Sequence, residues 1–306
     1  MIFSTLFNTL IPLCGLVGMG YFAGKYFEIH TRSLSVLLIY FLNPAVYFTT
    51  ILQMDLGVEL FFLPLVMAVI CNMTAFSGYG LGKLFYKNNK ANLVGMISVA
   101  GNTGLFGLPL VLAVLGSQAA GICMLANIGL MFAINSTGYY IGARGHHTVR
   151  DSLQKVLKIP AIYAALAAIL YNLSGLPYPG AVETYGHYFI GTWVVLGMMI
   201  IGIALANEKS LVFNKGFFAL LMGIKLILWP FFVWGFVMLD QTLLFLFDRD
   251  IYVMLLIFSI TPLPSTAVSF AASLDLHTGE TSMAVLLSTL LSIIYIPLAF
   301  FIFGFM

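Results

Sequence analysis

The chain has 306 residues, of which 61% are hydrophobic and 8% charged, with a formal net charge of +2 and a mean hydropathy of +1.04. Soluble domains carry roughly a quarter charged residues, so a chain this apolar cannot cover itself with a polar surface in water and must take lipid as its solvent. The near-neutral balance offers no basic face for a nucleic-acid partner. The three cysteines, Cys14, Cys71 and Cys123, lie inside apolar runs without metal-ligand spacing and read as small buried hydrophobes.

A spanning helix needs about 20 mostly apolar residues. In chain order the runs predict helices at 4–25, 33–52, 60–84, 91–115, 118–142, 158–173, 182–206, 215–239, 251–274 and 281–304. The first run lacks the positive leader of a signal peptide and is long enough to span. The runs are too long, and alternate too little, for strands. Basic residues test the count, because alternate loops should be rich or poor in them, with the rich side cytoplasmic. With the N-terminus outside, the inner loops hold Lys25, Arg32, Lys83, Lys87, Lys90, Arg144, Arg150, Lys155, Lys158, Lys209 and Lys215, and the outer loops hold Arg249 alone. Both termini are then expected on the outer, periplasmic side of a bacterial inner membrane. Acids occupy the outer loops instead, at Asp55, Glu59, Glu183, Asp240, Asp248 and Asp250.

The longest inner connection divides the spans five and five. The expected organisation is a first unit at 1–143, a cytoplasmic linker at 144–157 and a second unit at 158–306. An odd number of helices per half inverts one half against the other, which is the arithmetic of an inverted-topology repeat. The fourth span contains Gly101-Asn102-Thr103-Gly104, followed by Gly107 and Pro109, and the ninth contains Thr261-Pro262-Leu263-Pro264-Ser265-Thr266. Glycine and proline weaken helix interiors, and freed backbone survives at membrane depth only where it is buried in protein or faces a water-filled cavity. Two matched breaks therefore predict a binding site between the repeats, with Gly101, Pro109, Pro262 and Pro264 marking the crossing. Pro12, Pro44, Pro64 and Pro297 read as ordinary kinks.

Asn102 offers an amide, and Thr103, Ser265 and Thr266 offer hydroxyls that can cap the restarted half-helices. Helix N-termini favour anions and C-termini cations, so dipoles alone leave the sign of the ligand open. Lys225 lies mid-span, where an ionisable residue faces the bundle interior or water. It reads equally as a functional cation, holding an organic anion or swapping with a coupling ion, or as a lysine snorkelling to carbonyls or an interface. No acid lies mid-span, which counts against a simple cation exchanger and an aspartyl intramembrane protease. A sodium ion bound by carbonyl and hydroxyl oxygens stays open. Asn43-Pro44, Asn127, Asn135, Ser136 and Thr137 could face the site or bond between packed helices. The stretches Gly15-Leu16-Val17-Gly18-Met19-Gly20 and Gly78-Tyr79-Gly80-Leu81-Gly82 follow no strand, so they read as close helix packing rather than nucleotide loops.

Asn102-Thr103-Gly104-Leu105-Phe106-Gly107-Leu108-Pro109-Leu110 resembles the helix-four signature of the auxin efflux carrier family. Pro264-Ser265-Thr266-Ala267-Val268, then Ser288-Thr289-Leu290-Leu291-Ser292, is similar to the helix-nine and helix-ten pattern of its bacterial members, and Lys225 with Trp229-Pro230 is similar to its helix eight. The resemblance implies an all-α membrane protein of ten transmembrane helices, built as two inverted five-helix repeats with crossed, broken helices 4 and 9. It implies a scaffold of helices 1, 2, 6 and 7, a mobile unit of helices 3–5 and 8–10, and a homodimer through the scaffold. It further implies alternating access by an elevator motion and organic anions as substrates. Asn102 would then contact substrate, with Thr103, Gly104, Ser265, Thr266 and Lys225 completing the site. Gly101 stands where plant members often carry proline, and the short central loop favours a bacterial-type carrier of small carboxylates such as malonate or malate over auxin itself.

The expectation is a non-enzymatic carrier without a cofactor, with H+ or Na+ as the open choice of coupling ion. A sodium-coupled symporter of larger amphipathic anions, resembling bile-acid carriers, and a ligand-binding membrane sensor stand as alternatives.

Overall fold

A computed structural model describes residues 2–143, 158–177, 179–208 and 212–302. The expected linker at 144–157 lies outside the described residues. Everything regular among them is helical. Among the described residues, eight helices are long and apolar enough to cross a membrane: α1 (Ser4–Tyr26), α2 (Thr31–Leu52), α3 (Val58–Phe85), α4 (Lys90–Leu115), α5 (Ala119–Gly142), α7 (Gly180–Asn207), α8 (Lys215–Leu244) and α11 (Thr278–Ile302). Between α5 and α7 lies the shorter apolar α6 (Pro160–Leu173). Between α8 and α11 the chain forms two short helices, α9 (Arg249–Ser259) and α10 (Thr266–Ser273), separated by an irregular stretch. Large apolar side chains such as Ile11, Phe22, Leu65, Phe231 and Ile294 remain exposed on the outside of the bundle, as lipid-facing residues do.

Proline shapes several helices. Leu38–Leu42, Thr103–Gly107 and Ile224–Leu228 are π-turns, and each runs into an α segment with proline in its first turn, Pro44, Pro109 and Pro230. A proline has no N–H and its ring crowds the carbonyl one turn back, so the ladder slips to the wider i→i+5 spacing. Pro12 and Pro297 sit within continuous α-helix.

Helices α1, α2, α6 and α7 pair closely, α1 with α7 and α2 with both α6 and α7; α3 pairs with the first half of α4 and with α5, and α8 with α9. Small residues permit the closest approaches. A Cβ on Gly20 would lie 2.1 Å from the Met199 carbonyl oxygen, and one on Gly202 would lie 2.0 Å from that of Val17. Gly78 and Gly82 similarly pack on Ser98 and Ala91 in the first half of α4, whereas Gly15, Gly18 and Gly80 have no neighbour near the position of a Cβ. Close packing thus explains part of each glycine-rich stretch. Because backbone cannot yield, Gly202→Leu is expected to destabilise the protein by about 3 kcal/mol or more, read as a lower melting temperature and loss of the monodisperse peak in detergent.

Asp240, expected in an outer loop, is fully buried at the end of α8. Its carboxylate accepts from the backbone N–H groups of Leu246 and Phe247 at 3.1 and 3.0 Å and from the Tyr252 hydroxyl at 2.6 Å. These bonds close the turn at Phe245, whose φ of 53° is left-handed.

Candidate functional site

The interruption in α4 and the stretch between α9 and α10 touch directly. The α-helical ladder of α4 stops at Ser98 and resumes as the Thr103–Gly107 π-turn. In the gap, the Asn102 N–H donates to the Pro262 carbonyl at 2.8 Å, while the Asn102 carbonyl accepts from Gly107 at 2.9 Å. On the other strand of the crossing, the Leu263 N–H donates to the Ser288 hydroxyl of α11 at 3.1 Å. Glycine at 101 makes room for two side chains, since a Cβ there would lie 2.3 Å from both Lys225 Nζ and Thr261 Oγ1.

Helix α8 satisfies the carbonyls freed where the first half-helices end. Trp229 Nε1 donates to the Ser98 carbonyl at 2.9 Å, and Lys225 Nζ donates to the Phe258 carbonyl at 3.2 Å. Lys225 is 2% exposed, and its ammonium lies 4.1 Å from the centre of the Trp229 ring. Its position beside these C-terminal ends is the electrostatically favourable one for a cation, and the ring face adds attraction.

A cavity of about 620 Å³ opens at the crossing, and neither Lys225 nor Trp229 is among its lining residues. Asn102, Thr103, Gly104, Ser265 and Thr266 line it, so the beginnings of both restarted half-helices face it. It extends past Ser269 and Ser282 to Thr31, Arg32, Asn207 and Thr278, at the ends of α2, α7 and α11. Apolar residues of α7, including Ile200, Ile201 and Leu205, form much of the facing wall. Two residues lining this cavity carry a buried polar atom with no hydrogen-bond partner among the described residues, Asn102 at Nδ2 and Ser282 at Oγ. Leaving a buried donor unpaired costs about 1–3 kcal/mol.

The structure therefore gathers Gly101, Asn102, Thr103, Gly104, Pro264, Ser265 and Thr266 on one cavity. Pro262 belongs to the crossing through its carbonyl. Pro109 lies a turn beyond, in the α segment that follows, and Lys225 stands behind the crossing rather than on the cavity wall. The Thr103 hydroxyl is already committed, donating to Asn127 Oδ1 at 2.5 Å. Asn102 and Ser265 stand at N-cap positions, but neither side chain makes a capping bond. Asn43 and Asn127 also line the cavity, whereas Thr137 bonds across to Asn72 and Asn135 to its own helix. Sequence reasoning missed Ser282 and Trp193. The spacing of Thr278, Ser282 and Val285, one helical face, is the signal that could have found Ser282.

Apolar helices long enough to cross a membrane, around a cavity with interrupted backbone, mark an integral membrane protein with room for a ligand. Residues 5–148 match a family model described as "Membrane transport protein". The chain is 30% identical over 211 residues to an uncharacterized transporter of Methanocaldococcus jannaschii, covering 65% of this chain and 68% of the relative. It is 25% identical over 314 aligned positions to an uncharacterized transporter of Methanothermobacter thermautotrophicus, covering 97% and 98% of the two chains. The chain belongs to the auxin efflux carrier family of membrane transporters.

Proposed function

We propose that the protein carries a small organic anion across the membrane by alternating access, binding it at Asn102 where the two interrupted helices cross. The observation that carries this reading is the polarity of the crossing. The cavity is lined by the N-terminal starts of the second half-helices, while the C-terminal ends of the first halves turn toward Lys225 and Trp229. N-termini present unpaired N–H groups and partial positive charge, so the cavity side favours an anion. Lys225 behind the crossing adds to that positive potential. The orphaned Asn102 amide supplies a hydrogen-bond donor at the same place.

In this reading α9 and α10 form one broken span, and α6 completes a set of ten. Residues 1–143 and 158–306 are then the two inverted halves, joined by the 144–157 linker. The close pairing of α1, α2, α6 and α7 supports treating them as a scaffold, against which α3–α5 and α8–α11 move. The end bearing Lys25, Arg32 and Lys90 faces the cytoplasm by the distribution of basic residues. Since the cavity reaches Arg32, the conformation described is inward-facing. Small carboxylates such as malonate or malate are the proposed cargo.

Uptake of labelled mono- and dicarboxylates into proteoliposomes tests the reading, with and without external sodium. Saturable accumulation of at least one carboxylate above protein-free liposomes is expected. Binding without accumulation would replace the carrier by a sensor, and the absence of both would remove the anion assignment.

A further inference from the structure

We propose that Trp193, held in place by Asn43, is the specificity-determining residue that limits the size of the anion's apolar part. The proposal rests on the anion reading above and assigns the wall facing the bound ligand. Trp193 is 5% exposed and lines the cavity together with Asn43, Tyr47, Gly104 and Leu105. Its indole Nε1 donates to Asn43 Oδ1, a residue placed at the restart of α2 beside Pro44. The ring lies against the site backbone itself. A Cβ on Gly104, two residues beyond Asn102, would lie 2.9 Å from the indole Cη2 and 3.4 Å from Cζ2. One turn along α7, a Cβ on Gly197 would lie 2.1 Å from Leu105 Cδ2. Helix α7 therefore embraces the π-turn with a large flat ring on one residue and a notch for the next.

The physical consequence is a rigid boundary. An indole has two side-chain torsions, and a buried N–H that finds a partner fixes its orientation. The polar groups that would hold the charged end, at Asn102, Ser265 and Thr266, share the cavity with this ring. Whatever apolar body the anion carries must fit in the space the indole leaves. A pocket of fixed shape discriminates a single methylene by roughly tenfold or more, whereas a mobile wall does not.

The test is a thermal-shift series on the full chain purified in detergent, using straight-chain monocarboxylates from acetate to octanoate together with phenylacetate. Wild type, Trp193→Ala, Trp193→Phe, Asn43→Leu and Asn102→Ala are compared. Trp193→Ala is expected to move the best-stabilising acid to a longer chain, with preference for long over short acids raised about tenfold. Trp193→Phe and Asn43→Leu, which break the indole bond, are expected to flatten the chain-length preference, and they carry the test if the alanine variant does not fold. Asn102→Ala is expected to lose stabilisation by every acid. An unchanged chain-length optimum in the Trp193 and Asn43 variants, with dependence on Asn102 intact, would overturn the role of Trp193 alone. If malonate or malate stabilises the wild type and no acid of the series does, the role of Trp193 falls while the anion reading stands; if none of these acids does, the anion reading falls and this proposal with it.

Discussion

Asn102→Ala is expected to weaken anion uptake by about tenfold to hundredfold at sub-saturating anion, without weakening the fold. The structural contribution of this residue is made by its main chain, through the N–H on Pro262 and the carbonyl under Gly107, and alanine retains both. The side-chain amide contributes nothing comparable, since Nδ2 is buried without a partner among the described residues. Removing an unsatisfied donor relieves a penalty rather than creating one, so the melting temperature of the ligand-free variant should equal or exceed that of the wild type. A hydrogen bond to a charged group contributes about 1.5–3 kcal/mol, hence a loss of roughly tenfold to hundredfold in affinity. Uptake into proteoliposomes, normalised to folded protein by gel filtration, reads the first effect and differential scanning the second. Wild-type uptake by a folded variant would take Asn102 out of the mechanism.

Lys225→Met should separate charge from structure in the same way. The ammonium is buried with one carbonyl partner and a ring face, and among the described residues it makes no salt bridge. Burying an ion without a counter-ion costs several kcal/mol, and apolar replacement of similar volume is often neutral or stabilising. The Phe258 carbonyl would keep the Thr261 hydroxyl, 2.9 Å away, so no acceptor is orphaned. Stability is therefore expected to hold or rise. Anion binding is expected to fall by about tenfold, because the positive charge behind the crossing no longer adds to the potential of the site. Unchanged affinity in a folded Lys225→Met variant would reduce the lysine to a helix-end cap.

The two effects differ in where the residues stand. Asn102 lines the ligand space, so its loss removes a contact. Lys225 acts through the crossing, so its loss lowers the potential of the whole site and should weaken short and long acids alike. The Trp193 variants should instead change the order of preference. A single acid series therefore reports three separable roles.

Much of this architecture was legible in the residues. Gly101-Asn102-Thr103-Gly104 and Pro262-Leu263-Pro264 announced both interruptions, because backbone without side-chain restraint or without an N–H cannot continue a helix. Asn102 stood out as the amide at such a break. Other features were not legible. Thr103 looked like a free donor, and its engagement with Asn127 depends on how α4 meets α5. Asp240 looked like a loop acid, and its burial depends on the turn that folds Leu246 and Phe247 back over it. Trp193 and Ser282 lie on helices that are apolar on every face, where lipid and protein interior select the same residue types. Periodicity then says nothing about which face meets the cavity.

By itself, the sequence determined the solvent, the helical class and the two places where the backbone must break. Those follow from hydrophobic length and from glycine and proline, which act within a few residues of themselves. Only the tertiary structure decided which ends of the half-helices line the cavity and which turn toward Lys225. The reason is that a helix dipole has the same ends wherever the helix lies, and its meaning for a ligand comes from packing against α7, α8 and α11, elements far away along the chain.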